Sequence, residues 1–334
     1  MMASQSTPHL PSADIKSVVL KAFALVSFGA LMTTFGPFIL FAPAAFALSY
    51  LHFDKKVAVV VQVLVGVAFF FLSGGKAVGM GNVSLYALAV VEGFAINEVI
   101  ERKLAPVNGV LIGGALINLL IFGILGGYVL LGDQSLYDLI LTQVNNGIAQ
   151  IKSNQEIQNA LNLGGEKAIL LKEILSKPQE MTKEILSWSF AVIFSGIYLS
   201  VWASFYFVLR NSLAWRLKKN YPFGVVHFTH FKLPFTLVYL LIIGLGLTLG
   251  GEYITSYAPV IGMNILYCLG SLYFFQGFGL MYDFLVVKRI RGFLRSLIIM
   301  SALMFAWRFI AFLGLFDVWV NFRKFLKKKD EGDR

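Results

Sequence analysis

Residues 107–131 read VNGVLIGGALINLLIFGILGGYVLL, an unbroken run without a single charged side chain. A helix of that length reaches about 38 Å at 1.5 Å per residue. That exceeds the ~30 Å hydrocarbon core of a bilayer. A helix satisfies its own backbone N–H and C=O groups in lipid, which an open strand cannot do. This stretch therefore reads as a membrane span, and it sets the fold class for the rest of the chain.

Comparable runs recur on both sides of it, at 18–35, 37–53, 57–72, 84–100, 188–209, 233–250, 258–287 and 293–316. The expected fold is all-α: a polytopic helical membrane protein with eight or nine transmembrane helices and a helical extramembrane insert. The composition agrees. Of 334 residues, 57% are hydrophobic and 14% are charged, with a mean hydropathy of +0.75, whereas soluble domains carry roughly a quarter charged residues. The expected layout is a polar N-terminal segment 1–17, a first helix group 18–132, an insert 133–187, a second helix group 188–322 and a basic tail 323–334. The apolar run after Lys21 outlasts the h-region of a signal peptide, so the first helix reads as retained.

The insert stands apart. It holds seven acids and five lysines. Apolar residues recur at helical spacing in Leu136, Leu139, Ile140 and Val144, and again in Ile169, Leu170, Ile174 and Leu175, which predicts amphipathic helices outside the hydrocarbon.

The net charge of +10 falls in short loops and the tail. Basic residues mark 54–56, 101–105, 210–232 and 288–295, while 36–37, 73–83 and 251–257 are poor in them. That alternation puts the N-terminus inside and the insert outside, with anionic lipid as the counter-charge rather than nucleic acid. One conflict arises. Nine spans starting inside end outside, yet the tail carries Arg323, Lys324, Lys327, Lys328, Lys329 and Arg334, which belong inside.

Polar groups within the spans are the candidate functional residues, because burying them in lipid is unfavourable. Glu92, Asn97, Asn118, Gln276 and Arg308 are the candidate substrate-binding set. Asn264 also lies within a span. Tyr273, Gln276, Leu280 and Asp283 follow steps of three and four, so they share one helix face. An ion pair between Glu92 and Arg308 is expected, each being the other's natural partner at depth. Gly109-x-x-x-Gly113 and Gly123-x-x-x-Gly127 offer flat faces for close packing. Trp188, Tyr198, Trp202, Trp215, Tyr221, Tyr253 and Tyr257 read as interfacial aromatics.

Several chemistries find no signature. The one cysteine, Cys268, lies in an apolar run and reads as core. His227 and His230 lack a third metal ligand nearby. Gly74-Gly75-Lys76 lacks the spacing of a phosphate-binding loop. No nucleophile elbow or zinc-protease motif occurs. The chain reads as neither an enzyme nor a cofactor protein.

The last third carries motifs in a fixed order: Phe231-Lys232-Leu233-Pro234 entering a span, Tyr273-Phe274-Phe275-Gln276-Gly277-Phe278 within the next, and Leu313-Gly314-Leu315-Phe316-Asp317 closing toward Arg323-Lys324. In this order the chain resembles the YybS-like (DUF2232) family of bacterial polytopic membrane proteins. The matching residues are Pro234, Gln276, Gly277, Gly314, Asp317 and Arg323. The layout is similar to that of the substrate-binding subunits of energy-coupling-factor transporters. The resemblance implies the bacterial inner (plasma) membrane and a vitamin-like small-molecule binding or transport component. The partner would be a separate ATPase, docked at loops 210–232 and 288–295. A membrane scaffold in envelope assembly or division, using the insert to bind partners, is the alternative.

Overall fold

The structure is a computed structural model that describes residues 15–73, 77–132, 135–162, 164–211 and 213–325. The segment 1–14, the Gly74-Gly75-Lys76 sequence and the tail cations from Lys327 onward lie outside the described residues. Among the described residues the chain is helical and no strand occurs. In chain order the helices are α1 (Ile15–Met32), α2 (Ala42–His52), α3 (Lys55–Leu72), α4 (Ala77–Glu101), α5 (Pro106–Leu131), α6 (Leu136–Ser153), α7 (Gln155–Asn162), α8 (Glu166–Leu175), α9 (Pro178–Arg210), α10 (Leu213–Lys219), α11 (Val225–Thr229), α12 (Leu237–Gly250), α13 (Ala258–Val287), α14 (Gly292–Phe305) and α15 (Trp307–Val320).

Local chemistry explains many of the boundaries. Asp54 caps α3, its Oδ1 accepting from the Lys56 N–H at 2.8 Å. Ser135 and Asp138 form a reciprocal cap on α6: the serine Oγ accepts from the Asp138 N–H at 3.1 Å and donates to its carboxylate at 2.6 Å. Such caps satisfy donors that a helix start leaves unpaired. Prolines open α5 and α9 at the position where a missing N–H costs nothing. α4 and α13 end in the same six-residue closure. Leu104 N–H donates to Val99 O and Lys103 N–H to Ile100 O; likewise Ile290 donates to Leu285 O and Arg289 to Val286 O. This is a Schellman stop, and it places Lys103 (φ 53) and Arg289 (φ 55) in the left-handed region.

Five of these helices are long and apolar enough to cross a bilayer: α3, the 81–101 part of α4, α5, α9 and α13. The count becomes six if the α14–α15 pair is taken as one crossing. The eight or nine expected from the sequence therefore do not emerge as full-length helices. The stretch read as 37–53 is a 3-10 turn followed by the eleven residues of α2, and α12 has only fourteen residues. At 1.5 Å per residue these reach about 17 and 21 Å, short of the ~30 Å core.

The chain divides into two compact units, one comprising the described residues of 1–114 with 199–228, the other those of 115–198 with 229–325. In the first unit α1, α2, α3 and α4 close on a core of Ala22, Val26, Phe46, Val61, Val65 and Tyr86. Gly93 lets α4 approach α2: a Cβ there would stand 2.8 Å from the Pro43 carbonyl oxygen and 2.9 Å from the Ala47 nitrogen. Gly109 on α5 leaves room for Val99, so the first of the two small-residue motifs packs. Among the described residues nothing lies within 4 Å of an added Cβ at Gly123 or Gly127.

In the second unit α12 and the first half of α13 form an antiparallel hairpin, with Gly244 against Ile265 and Leu266, and Gly262 against Thr248. The second half of α13 pairs with α15. Tyr273 meets Gly314, Gln276 meets Asp317 and Asp283 meets Arg323. Numbers rise together on both helices, so they run parallel. Helix α14 bends 93° against α15, and α15 finishes at the end of α13 where α13 itself finishes. The run 293–316, expected to be a ninth crossing, turns back instead. Arg323 and Lys324 thus emerge at the same end of the second unit as the basic stretch 288–295.

The insert comprises α6, α7 and α8. Helix α9 starts at Pro178 and continues without interruption to Arg210, across the expected insert boundary at 187. Asn264 of α13 grips α9 across that boundary. Its Oδ1 accepts from the Ala191 N–H at 2.9 Å and its Nδ2 donates to the Ser187 carbonyl at 2.6 Å. Those backbone groups, four residues apart, are the pair that would otherwise bond each other along the helix.

Candidate functional site

The six residues that carry the family resemblance lie in and around one junction of the second unit. Gln276 sits at its centre and is 0% exposed. Its Oε1 accepts from the Leu233 N–H at 2.9 Å, and its Nε2 donates to Asp317 Oδ2 at 3.2 Å. One side chain thereby joins the loop before α12, the middle of α13 and the end of α15. Gly277 and Gly314 make that approach possible. A Cβ on Gly277 would overlap the Ile310 carbonyl oxygen, and one on Gly314 would overlap that of Tyr273. A Cβ on Gly279, two residues on, would overlap the Thr229 carbonyl oxygen. Pro234 is exposed and follows Leu233, opening a turn in which the Leu237 N–H reaches the Pro234 carbonyl at 3.2 Å.

Arg323 closes the junction beyond α15. Asn321, in the left-handed region at φ 51, turns the chain back so that the guanidinium reaches the loop. Its Nη2 donates to the carbonyls of Thr229 at 3.2 Å and Phe231 at 3.3 Å. Its Nε stands 3.4 Å from Asp283 Oδ2, an ionic contact rather than an aligned hydrogen bond. His230 Nε2 lies 3.8 Å from the same oxygen. Every one of these contacts ties one backbone segment to another, which is the work of a clamp.

The candidate binding residues are divided between the two units. Glu92 and Asn97 belong to the first unit; Asn118, Gln276 and Arg308 belong to the second. Glu92 is buried and accepts from Ser200 Oγ at 2.5 Å. Arg308 is exposed and lies over the Trp307 ring, 5.2 Å from its centroid. Each of these contacts lies inside its own unit. Asn97 is fully buried, and neither of its amide atoms has a hydrogen-bond partner among the described residues. Asn118 is buried on α5.

Sequence reasoning missed a second polar network. Tyr50 Oη donates to Gln62 Oε1 at 2.7 Å, Gln62 Nε2 donates to Ser49 Oγ at 2.9 Å, and Tyr86 Oη donates to the Gln62 carbonyl at 2.6 Å. Uncharged polar residues in apolar helices signal little by themselves, yet here they link α2, α3 and α4.

At the basic end of the first unit, Lys219 pairs with Glu101, and Lys55 and Arg102 both reach Glu98. Trp215 and Tyr221 are buried there rather than facing the bilayer interface, unlike the exposed Tyr253 and Tyr257. Tyr221 Oη donates to the Leu104 carbonyl at 2.8 Å, and burial pushes its phenol well above the ordinary tyrosine range. Tyr221→Phe is expected to lower stability by about 1 kcal/mol, as loss of one hydrogen bond does, measured by thermal unfolding. The wild type should also lose stability once the pH climbs past ~10, where the unfolded phenol ionises, and Tyr221→Phe should flatten that loss.

Two surface depressions stand out. One of about 150 Å³ is lined by Ser187, Trp188, Pro259, Val260 and Met263, and the other by Lys16, Val19, Leu20 and Phe23. Both are almost wholly apolar, and neither includes a candidate binding residue. Among the described residues no three His, Cys, Asp or Glu side chains are grouped to hold a metal. Outside the apolar spans, α8 shows a divided surface. Ala168 and Leu175 are buried, whereas Ile169, Leu170 and Ile174 are between 50% and 66% exposed.

The family model described as a predicted membrane protein, DUF2232, matches residues 22–318. No curated protein and no solved structure matches the chain.

Proposed function

The chain belongs to the DUF2232 family of predicted membrane proteins, and from that premise we propose that this multi-pass protein is a non-catalytic membrane scaffold. It would act in envelope assembly or division at the bacterial inner membrane, with α6–α8 as its partner-binding element. The observation that carries the reading is the exposed Ile169, Leu170 and Ile174 face of α8. An apolar strip on a helix in a charged insert is a marker of protein–protein contact. The intramembrane polar groups support it from the other side. Glu92 and Gln276 are engaged by Ser200, Leu233 and Asp317, which leaves them little capacity for a guest.

A photo-reactive amino acid at Ile169, introduced in cells, tests this. A discrete protein adduct is expected from position 169 and none from exposed Thr142 on α6. The adduct should vanish in a Leu170→Asp, Ile174→Asp background. Adducts with lipid alone, or a protein adduct that survives both substitutions, would sink the proposal.

A second reading, capture of a small polar molecule for a separate ATPase docked at loops 210–232 and 288–295, is favoured by Asn97, whose buried amide lacks partners among the described residues. Its measurement is thermal stabilisation of the purified protein by a vitamin and nucleoside panel. Stabilisation that Asn97→Leu abolishes would support capture; no shift with any compound would count against it.

A further inference from the structure

We propose that the corner between α13 and α14 is a binding site for the headgroup of an anionic phospholipid. Lys288, Arg289, Arg291 and Arg295 fall within eight residues without an intervening acid. Lys288, Arg289 and Arg291 are exposed. The nearest carboxylate along α13, Asp283, is already met by Arg323 and His230. Lys324 is exposed where α15 ends, at this same end of the second unit. Positive charge is therefore concentrated there with little internal neutralisation.

Three further features match a phospholipid rather than a free anion. Phe293 and Leu294, among the cations, are 82% and 55% exposed, an apolar surface suited to acyl chains beside a charged surface suited to phosphate. Lys288 and Arg295 lie over the rings of Phe284 and Tyr282, at 5.7 and 5.3 Å from the centroids, which holds both cations alongside apolar surface. Arg289 occupies the left-handed stop of α13, a position where glycine is the usual residue and a side chain is strained. A cation thus stands at the turn itself, between Lys288 and Arg291.

Arg289→Gly makes a clean test because glycine suits that backbone. Full-length wild type and the Arg289→Gly, Arg291→Gln variant would be purified in a neutral detergent. Each would be titrated with phosphatidylglycerol, with phosphatidylcholine of the same acyl chains, and with inorganic phosphate. Lipid retention would be read by native mass spectrometry and stability by thermal unfolding. Phosphatidylglycerol is expected to be retained and to raise the wild-type melting temperature, with phosphatidylcholine and phosphate doing neither. The lipid-free variant should melt no lower than wild type, yet retain phosphatidylglycerol about thirtyfold less well, in line with roughly 1 kcal/mol for each of the two cations removed at a membrane surface. Equal retention of the two lipids, equal retention by variant and wild type, or a full response to phosphate alone would overturn the site.

Discussion

Gly277→Ala and Gly314→Ala are each expected to destabilise the protein by about 3 kcal/mol or to abolish its folded yield, the upper end of overpacking effects. The magnitude follows from what the added methyl meets. At Gly277 it is the Ile310 carbonyl, at Gly314 the Tyr273 carbonyl. These are backbone atoms, which cannot swing aside as a side chain does, so α13 and α15 must separate. That separation would also stretch the Gln276–Asp317 bond. Gly270→Ala in the same helix is the control. Nothing lies within 4 Å of its added Cβ, and alanine there should be neutral or stabilising by about 0.5 kcal/mol. The double variant should cost less than the sum, since one separation relieves both overlaps. Thermal unfolding followed by intrinsic fluorescence reads all four proteins. Indistinguishable melting temperatures across the three single variants would contradict the close crossing.

Gln276→Leu is expected to cost about 2–4 kcal/mol, because two buried groups lose their partner at once. The Leu233 N–H loses its acceptor and the Asp317 carboxylate its donor. Asp317→Leu leaves only the Gln276 amide short of a partner and should cost less. In the double variant the two apolar side chains face each other, so a coupling energy of about 1–2 kcal/mol is expected between the sites. Strict additivity would argue against the bond. Amide hydrogen exchange supplies an independent reading. Protection at Leu233 should collapse in Gln276→Leu, while the α12–α13 hairpin around Gly244 and Gly262 keeps its own.

Parts of this junction were legible in the sequence. Steps of three and four placed Tyr273, Gln276, Leu280 and Asp283 on one face, and the first three of these are buried. The resemblance singled out Gln276, Gly277, Gly314, Asp317 and Arg323 before any contact between them was known. Other parts were not legible. The run 293–316 has the length and hydropathy of a crossing, and its bend at Ala306 contains neither proline nor glycine. Nothing local announces that α15 doubles back beside α13. The charges of 180–184 resemble a loop, yet Pro178 starts a helix that carries them continuously into the span. Ser200, whose hydroxyl passes unnoticed in an apolar run, donates to the Glu92 carboxylate.

The sequence by itself determined the solvent and the secondary structure. Transfer into lipid is nearly additive along a run of residues, and helical hydrogen bonds connect near neighbours, so both can be read locally. Only the tertiary structure decided which polar groups meet, where a glycine is indispensable and on which side the last helix leaves. Those outcomes depend on atoms brought within 3 Å from positions far apart in the chain, as Leu233, Gln276 and Asp317 are, and no local pattern encodes that distance.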